Sequence, residues 1–315
     1  MQSVGGESDL GGRRGLLSIS DLSAEDVRQL IQSAVALKRG VKKQYLKGKA
    51  AALLFEKPSL RTRVSFEIAL WQLGGYAVYL SPAEVGLGKR EQIPDVARTL
   101  SRYVQAIVAR TFSQQTVESL ATYATVPVIN ALSDMEHPCQ ALGDLLTIYE
   151  KKGPLPGLKL AYIGDANNVA NSLLLAASLV GVDFRIASPS GYELQDQILK
   201  SAQRFASDSG ASITCVSDPK AAADGADVVY TDVWVSMGQE TESEARREVF
   251  RGYQVTERLL SLARKDVLFM HPLPAHHGEE VAVGLLDHPR SVVFDQAENR
   301  LHIQKAILVE LLRND

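Results

Sequence analysis

The chain has 315 residues, 45% of them hydrophobic and 23% charged, with a net charge of −3. At about 150 residues per domain this length gives two domains, each able to bury its own core. The charge balance argues against a polyanion-binding surface, so no nucleic acid partner is expected, and two cysteines, Cys139 and Cys215, cannot build a disulfide framework or a CxxC-type metal site.

In chain order, the opening MQSVGGESDLGGRRG has glycines and charges but no apolar core of a secretory signal. It reads as a frayed tail, and cytoplasm is the expected compartment. No apolar run reaches the roughly 18 residues of a membrane span, so no membrane partner is expected. AALLF (51–55), AIVAR (106–110) and VPVIN (126–130) read as buried strands. Helical periodicity fills 63–73, 91–103 and 115–123 between and around them. Strand–helix alternation predicts βαβ units and a parallel sheet. KKGPLPGLK, 151–159, interrupts it with two prolines and two glycines, and the domain boundary is placed there. Five further strands follow at 160–164, 184–188, 212–216, 227–232 and 267–270, with helical patterns at 168–180, 193–208 and 254–264. The predicted fold is α/β: two doubly wound domains with central parallel sheets, joined by helices. The first spans 1–150 and the second 151–298, and a last helix within 299–315 packs back on the first.

Active sites in such folds lie at the carboxyl ends of strands, so the post-strand loops carry the search. After the first strand, Ser59, Arg61, Thr62 and Arg63 cluster where a helix begins. Exposed N–H groups and the helix dipole favour an anion there, and arginine matches phosphate with paired donors. A capping serine beside surface arginines would leave the same pattern. Arg110 ends the second strand, and His137 and Gln140 flank the start of a further helix. Each is either a ligand or an ordinary ion-pair or capping residue. The segment IGDANNVANS, 163–172, lacks the second and third glycines of a dinucleotide loop. Its Asn167 and Asn168 suit a carboxylate or an amine, and Asp232 suits an ammonium group, with Ser236 nearby in the chain. The last strand runs into HPLPAHHGEE, His271–Glu280. A cis bond at Leu273–Pro274 would aim the Leu273 carbonyl at a site. His276 and His277 are either solvated loop residues or catalysts. Anion-binding groups in the first domain and amino-acid-binding groups in the second together suggest group transfer by proximity.

SLRTR (59–63), HPCQ (137–140), DVWVSMG (232–238), HPLP (271–274) and ENR (298–300) occur in one order along the chain. Together they resemble the motifs of the aspartate/ornithine carbamoyltransferase family, nearest its ornithine branch, from Gly15 to the C-terminus. The resemblance implies carbamoyl phosphate and L-ornithine as substrates, L-citrulline and phosphate as products, no metal or organic cofactor, and a homotrimer or a multiple of it. It implies that Ser59, Leu60, Arg61, Thr62, Arg110, His137, Gln140, Pro272, Leu273 and Arg300 hold carbamoyl phosphate. Among these, Arg61, Thr62, Arg110 and His137 would act in catalysis. Asn168, Asp232, Ser236 and Met237 would hold ornithine.

Two departures stand out. Ornithine enzymes of the family usually carry HCLP where this chain has HPLP, the form usual in the aspartate branch. DVWVSMG points to ornithine, and its seven contiguous residues outweigh the one-residue change. Putrescine, an acylated ornithine or aspartate remain alternative acceptors, and a weakly active carbamoyl-phosphate-binding protein is a further reading. Residue 86 is glycine where some family members carry a glutamine that reaches a neighbouring site, so that contact is not expected here.

Overall fold

The computed structural model describes residues 15–40, 43–87, 90–235 and 240–313. The expected N-terminal tail, Ser236 and Met237 lie outside the described residues. The chain forms two compact units, Met1–Leu142 with Arg300–Asp315, and Gly143–Asn299.

The first unit is built on five strands: β1 (Gly15–Leu16), β2 (Ala50–Phe55), β3 (Tyr76–Leu80), β4 (Ala106–Arg110) and β5 (Val128–Leu132). Their order is β1-β5-β4-β2-β3 and every pairing is parallel. Helices α1 (Ala24–Lys38), α2 (Leu60–Gln72), α3 (Pro82–Val85), α4 (Ile93–Tyr103) and α5 (Gln114–Tyr123) connect them. The second unit repeats the plan with β6 (Lys159–Ile163), β7 (Asp183–Ala187), β8 (Ile213–Val216), β9 (Val228–Thr231) and β10 (Leu268–Met270), in parallel order β10-β9-β6-β7-β8. Its helices are α7 (Asn168–Leu179), α8 (Asp196–Ser209), α9 (Pro219–Ala223), α10 (Ser243–Phe250) and α11 (Glu257–Leu260). The chain passes from one unit to the other inside two helices, α6 (Pro138–Lys152) and α12 (Val293–Leu312). The Gly/Pro-rich residues 153–158 link α6 to β6. Among the described residues no helix is long and apolar enough to cross a membrane.

The predicted parallel α/β architecture is the observed one, because the apolar runs are buried on both faces by helices. The sequence expectation also lacks β1, α3, α9 and α10, and three further differences have a physical reading. β3 is an apolar, tyrosine- and valine-rich run, YAVYL, that the strand reading passed over, and it forms an edge strand with Tyr76 exposed. α1 carries apolar residues at 27, 30, 31, 34 and 37 and a Ser23–Asp26 capping box, a readable signal that the strand-based reading passed over. The helix expected over 254–264 shortens to α11. Val255 spends its backbone on residues 280 and 282, donating to the Glu280 carbonyl and accepting from Ala282 N–H. The helix therefore starts only after Thr256, whose hydroxyl accepts from Leu259 N–H.

Around α3 the chain turns at Gly86, whose φ of 54° is left-handed. A Cβ there would stand 3.0 Å from Arg90 Cβ, so this turn favours the glycine over a long side chain. On α2, Leu60, Val64, Ile68 and Trp71 lie at helical spacing and are all exposed, Leu60 by 76% and Trp71 by 72%. Tyr76 and Val78 of β3 are exposed as well.

The second core gathers Ala161, Ile163, Val229, Phe269 and Val293, all essentially inaccessible. Phe269→Ala removes a ring from this close-packed cluster. It is expected to lower the unit's unfolding free energy by about 3–5 kcal/mol, read from the shift of the urea transition.

Candidate active site

In the first unit, three segments far apart in sequence meet at one hydroxyl. β2 ends at Phe55 and the chain re-enters a helix at Ser59, the N-cap of α2, whose side chain accepts from Thr62 N–H. This cap sets Thr62 on the first turn, where it is fully buried. Thr62 Oγ1 accepts from Arg300 Nη2 at 2.9 Å and from Arg110 Nη1 at 3.5 Å. Arg110 arrives at the end of β4 and Arg300 on α12. Arg110 and Arg300 are 8% and 3% exposed, so two guanidinium groups are buried side by side.

Burial lowers the pKa of Arg110 to about 10, and the charges of Arg300 and Arg61 add to the effect. Arg110 still stays cationic at neutral pH. Its Nε is buried with no hydrogen-bond partner among the described residues. His137 precedes α6 and its carbonyl accepts from the N–H groups of Gln140 and Ala141. Pro138 takes the first helical position, where its missing N–H costs nothing. Burial drives the His137 pKa well below the usual histidine value, and Arg300 and Arg110 push it the same way. The ring is therefore neutral, able to donate from one nitrogen and accept at the other. Gln140 is also buried, on the first turn of α6. The segment before the helix is tied to the start of the unit, since Glu136 accepts from Ser18 Oγ and Ile19 N–H.

Arg61, Thr62, Arg110, His137 and Arg300 thus share one charged neighbourhood, with Ser59 as its cap. Arg63 does not join it. One helical position further on, Arg63 pairs with Glu67 at 2.9 Å and stacks on Tyr79 at 3.7 Å. The Leu60 side chain faces solvent.

In the second unit, Asn167 caps α7. Its Oδ1 accepts from Val169 and Ala170 N–H, and its Nδ2 donates to Asp232 Oδ2 at 2.8 Å. Asp232 also accepts from Val233 N–H through Oδ1. Burial raises the Asp232 pKa, opposed by His271 and by these hydrogen bonds. Asn168 is half-buried at the first residue of α7. After β9, Arg246 of α10 donates to the Trp234 carbonyl at 2.6 Å and to Asp165 Oδ2, and lies over the Tyr192 ring. Burial lifts the Asp165 pKa to about 6, although Arg246 pulls it down.

After β10 the Leu273–Pro274 bond is cis and Leu273 has φ 57°. Leu273 N–H donates to His271 Nδ1 at 2.9 Å, so Nε2 bears the ring proton and faces Glu280 Oε1 at 3.1 Å. His271 N–H is bound by Gln296 Oε1. Burial pushes Glu280 up, but the hydrogen bonds from His271 and from His276 N–H outweigh it and hold its pKa below the ordinary value.

Sequence reasoning singled out Asp232, HPLP and Asn167, but took Asn167 for a ligand and not for the cap that holds Asp232, and it missed Arg246 and the role of Glu280. Asn167 was readable as a cap, being an asparagine directly before an apolar helix. Arg246 and Glu280 sit in charge-rich stretches that read as solvated surface, and only folding buries them.

The chain matches the aspartate/ornithine carbamoyltransferase models over both halves. Residues 14–150 match the carbamoyl-P binding domain and residues 156–311 the Asp/Orn binding domain. It is 54% identical over 300 residues to an ornithine carbamoyltransferase of Anoxybacillus flavithermus, covering 94% of this chain and 96% of that one. An anabolic ornithine carbamoyltransferase of Pyrococcus furiosus is 52% identical over 299 residues, covering 94% and 95%. The solved structure of ornithine carbamoyltransferase from Pyrococcus furiosus superposes with a TM-score of 0.92 at 51% identity, covering 96% of this chain and 98% of that one.

His137 should stay neutral in the ligand-free protein throughout the range where an ordinary histidine titrates. Nitrogen chemical shifts of labelled histidines, with His137→Gln to assign the signal, measure this. A normal titration curve would contradict the buried cationic surroundings described above.

Proposed function

The chain belongs to the aspartate/ornithine carbamoyltransferase family, and on that premise we propose that it transfers the carbamoyl group of carbamoyl phosphate to the side-chain amine of L-ornithine, giving L-citrulline and phosphate. The observation that carries this reading is the convergence of Arg110 and Arg300 on Thr62, beside a neutral His137.

In this reading the phosphate dianion sits against Arg61, Arg110 and Arg300, where charge-assisted donors are each worth about 1.5–3 kcal/mol. Ser59 and the backbone at Leu60 complete the helix-terminal cradle. The carbamoyl oxygen gains negative charge as the amine attacks. Thr62, Arg110 and His137 stabilise it, and preorganised donors of this kind are often the largest catalytic contribution. Gln140 and the carbonyls of Pro272 and Leu273 accept from the carbamoyl NH2. Asn168, Asp232, Ser236 and Met237 hold ornithine by its α-substituents, leaving the side-chain amine to react. A new N–C bond forms, the C–O bond to phosphate breaks, and the amine proton leaves with the phosphate. That route needs no side-chain base at Pro272. The amine must be neutral to attack. With an ordinary pKa near 10.4 its neutral form costs about 4–5 kcal/mol at neutral pH, and cationic neighbours reduce that cost.

A homotrimer, or a multiple of it, is part of the same proposal. Its support is the exposed apolar row Leu60, Val64, Ile68 and Trp71 on α2, with Tyr76 and Val78 beside it. Contiguous apolar surface of this kind is usually covered by a partner. The anabolic designation of the Pyrococcus furiosus relative supports a biosynthetic role, and a cytoplasmic location is part of the same proposal.

Citrulline should form from ornithine, with little or no product from aspartate or putrescine under the same conditions. A preference for either competitor would overturn the acceptor assignment. Asp232→Asn should reduce ornithine use by at least about tenfold, since a charge-assisted contact is lost, while calorimetry finds carbamoyl-phosphate affinity unchanged. Trp71→Glu places a charge in the apolar row and should shift the mass measured by light scattering toward the monomer. An unchanged mass would remove α2 from the interface.

A further inference from the structure

Beyond the catalytic turn, the residues His276, Glu279 and Glu280 form a cluster that the transfer reaction does not use as a unit. One donor atom of each lies within 4.8 Å of the other two. The local backbone brings them together. Gly278 adopts φ 91°, Glu279 N–H donates to the His276 carbonyl at 3.0 Å, and Gly278 N–H donates to the Val281 carbonyl at 2.8 Å. This tight turn puts the side chains three and four residues after His276 back beside it.

Two features single the cluster out from ordinary surface acids. Glu280 is fully buried, and only one of its oxygens is engaged. Oε1 takes His271 Nε2 and His276 N–H, whereas Oε2 is inaccessible and has no hydrogen-bond partner among the described residues. That oxygen lies 3.8 Å from His276 Nδ1. Glu279 shows the same division. Its Oε1 accepts from Arg247 at 3.0 Å, and its Oε2 is buried with no hydrogen-bond partner among the described residues. A buried carboxylate oxygen without a donor is costly, and here two of them flank one imidazole. The imidazole side chain is 46% exposed, which opens a path from solvent.

We propose that His276, Glu279 and Glu280 form a binding site for a divalent transition cation, with zinc as the best-suited ion. One imidazole nitrogen and two carboxylate oxygens are a zinc donor set, and they suit calcium or magnesium poorly because those ions prefer all-oxygen shells. Zinc–ligand bonds of about 2.0–2.2 Å place tetrahedral donors roughly 3.4 Å apart. The donors, now within 4.8 Å of one another, would draw together by rotation of the His276 and Glu279 side chains, both of which reach solvent. Water fills the fourth position on the exposed side. Arg247 remains on Glu279 Oε1, where it orients the carboxylate and leaves Oε2 for the metal. Glu280 gives Oε2 to the metal and keeps Oε1 on His271, so the site adjoins the Leu273 turn without dismantling it.

The test is zinc titration of the full chain by calorimetry in a buffer that does not chelate, with thermal unfolding in parallel. His276→Ala and Glu279→Gln should each weaken the site by at least about tenfold. His277→Ala, which alters the neighbouring exposed histidine, should leave it intact. Zinc should raise the unfolding midpoint of the wild-type chain and of the His277→Ala variant, but not that of His276→Ala. Circular dichroism at equal temperature checks that each variant is folded, and the exposed position of His276 makes its loss tolerable. The proposal is overturned if the wild-type chain takes up no zinc at millimolar concentration. It is equally overturned if His276→Ala binds as tightly as wild type, or if His277→Ala loses as much affinity as His276→Ala.

Discussion

Guanidinium groups packed round one threonine hydroxyl are the constraint on which the first unit depends. Arg110 and Arg300 both donate to Thr62 while almost wholly removed from water. Burial away from water is the main reason Arg110 loses proton affinity, and repulsion from Arg300 and Arg61 adds to it. A folded chain tolerates this only where other interactions outweigh the cost, and such strain is typical of sites made for an anion. The parallel sheet supplies the means. β2 and β4 are neighbours, so the loop after one and the last residue of the other meet at the same sheet end. α12 brings Arg300 to that end from the far side of the sequence.

The same electrostatic field explains His137. An imidazole placed among cations and away from water cannot hold a second proton. It is therefore suited to hydrogen-bond a developing oxyanion as a neutral ring, and unsuited to act as a protonated general acid near neutral pH. Its position comes from a simple backbone fact, the start of α6 at Pro138, together with the tie between Glu136 and residues 18–19.

The second unit works by hydrogen-bonded scaffolding more than by concentrated charge. Asn167 closes the N-terminus of α7 and at once fixes the carboxylate of Asp232, so one side chain couples a helix start to a strand end. Arg246 pins the Trp234 carbonyl in the same way. Glu280 and Gln296 hold His271, which in turn holds the backbone of Leu273. With proline at 272 that motif has no reactive side chain at its second position. What it offers is a backbone shape kept by buried partners.

Much of this was legible in the sequence. Apolar runs buried on both faces read as parallel strands whatever their neighbours, and the motifs from SLRTR to ENR point to the family because several independent ones occur in one order. Local chemistry also marked Ser59 and Pro138 as helix starts. Other features were settled by packing alone. Arg61 and Arg63 are alike in sequence, yet two residues along the helix turn Arg63 onto Glu67 and Tyr79 and leave Arg61 beside Arg110. β3 reads as a strand in its own sequence, YAVYL, but only the sheet order makes it an edge strand and leaves it half exposed. Arg246, Glu279 and Glu280 look like solvated charges until the turns at 278 and the packing of α10 bury them. Sequence by itself determined most of the strands and long helices, their order and the likeness to the family, since these follow from periodicity and from short-range chemistry. Only the tertiary structure decided which of several equivalent charges meet. Their partners lie tens or hundreds of residues away, and no local pattern records that distance.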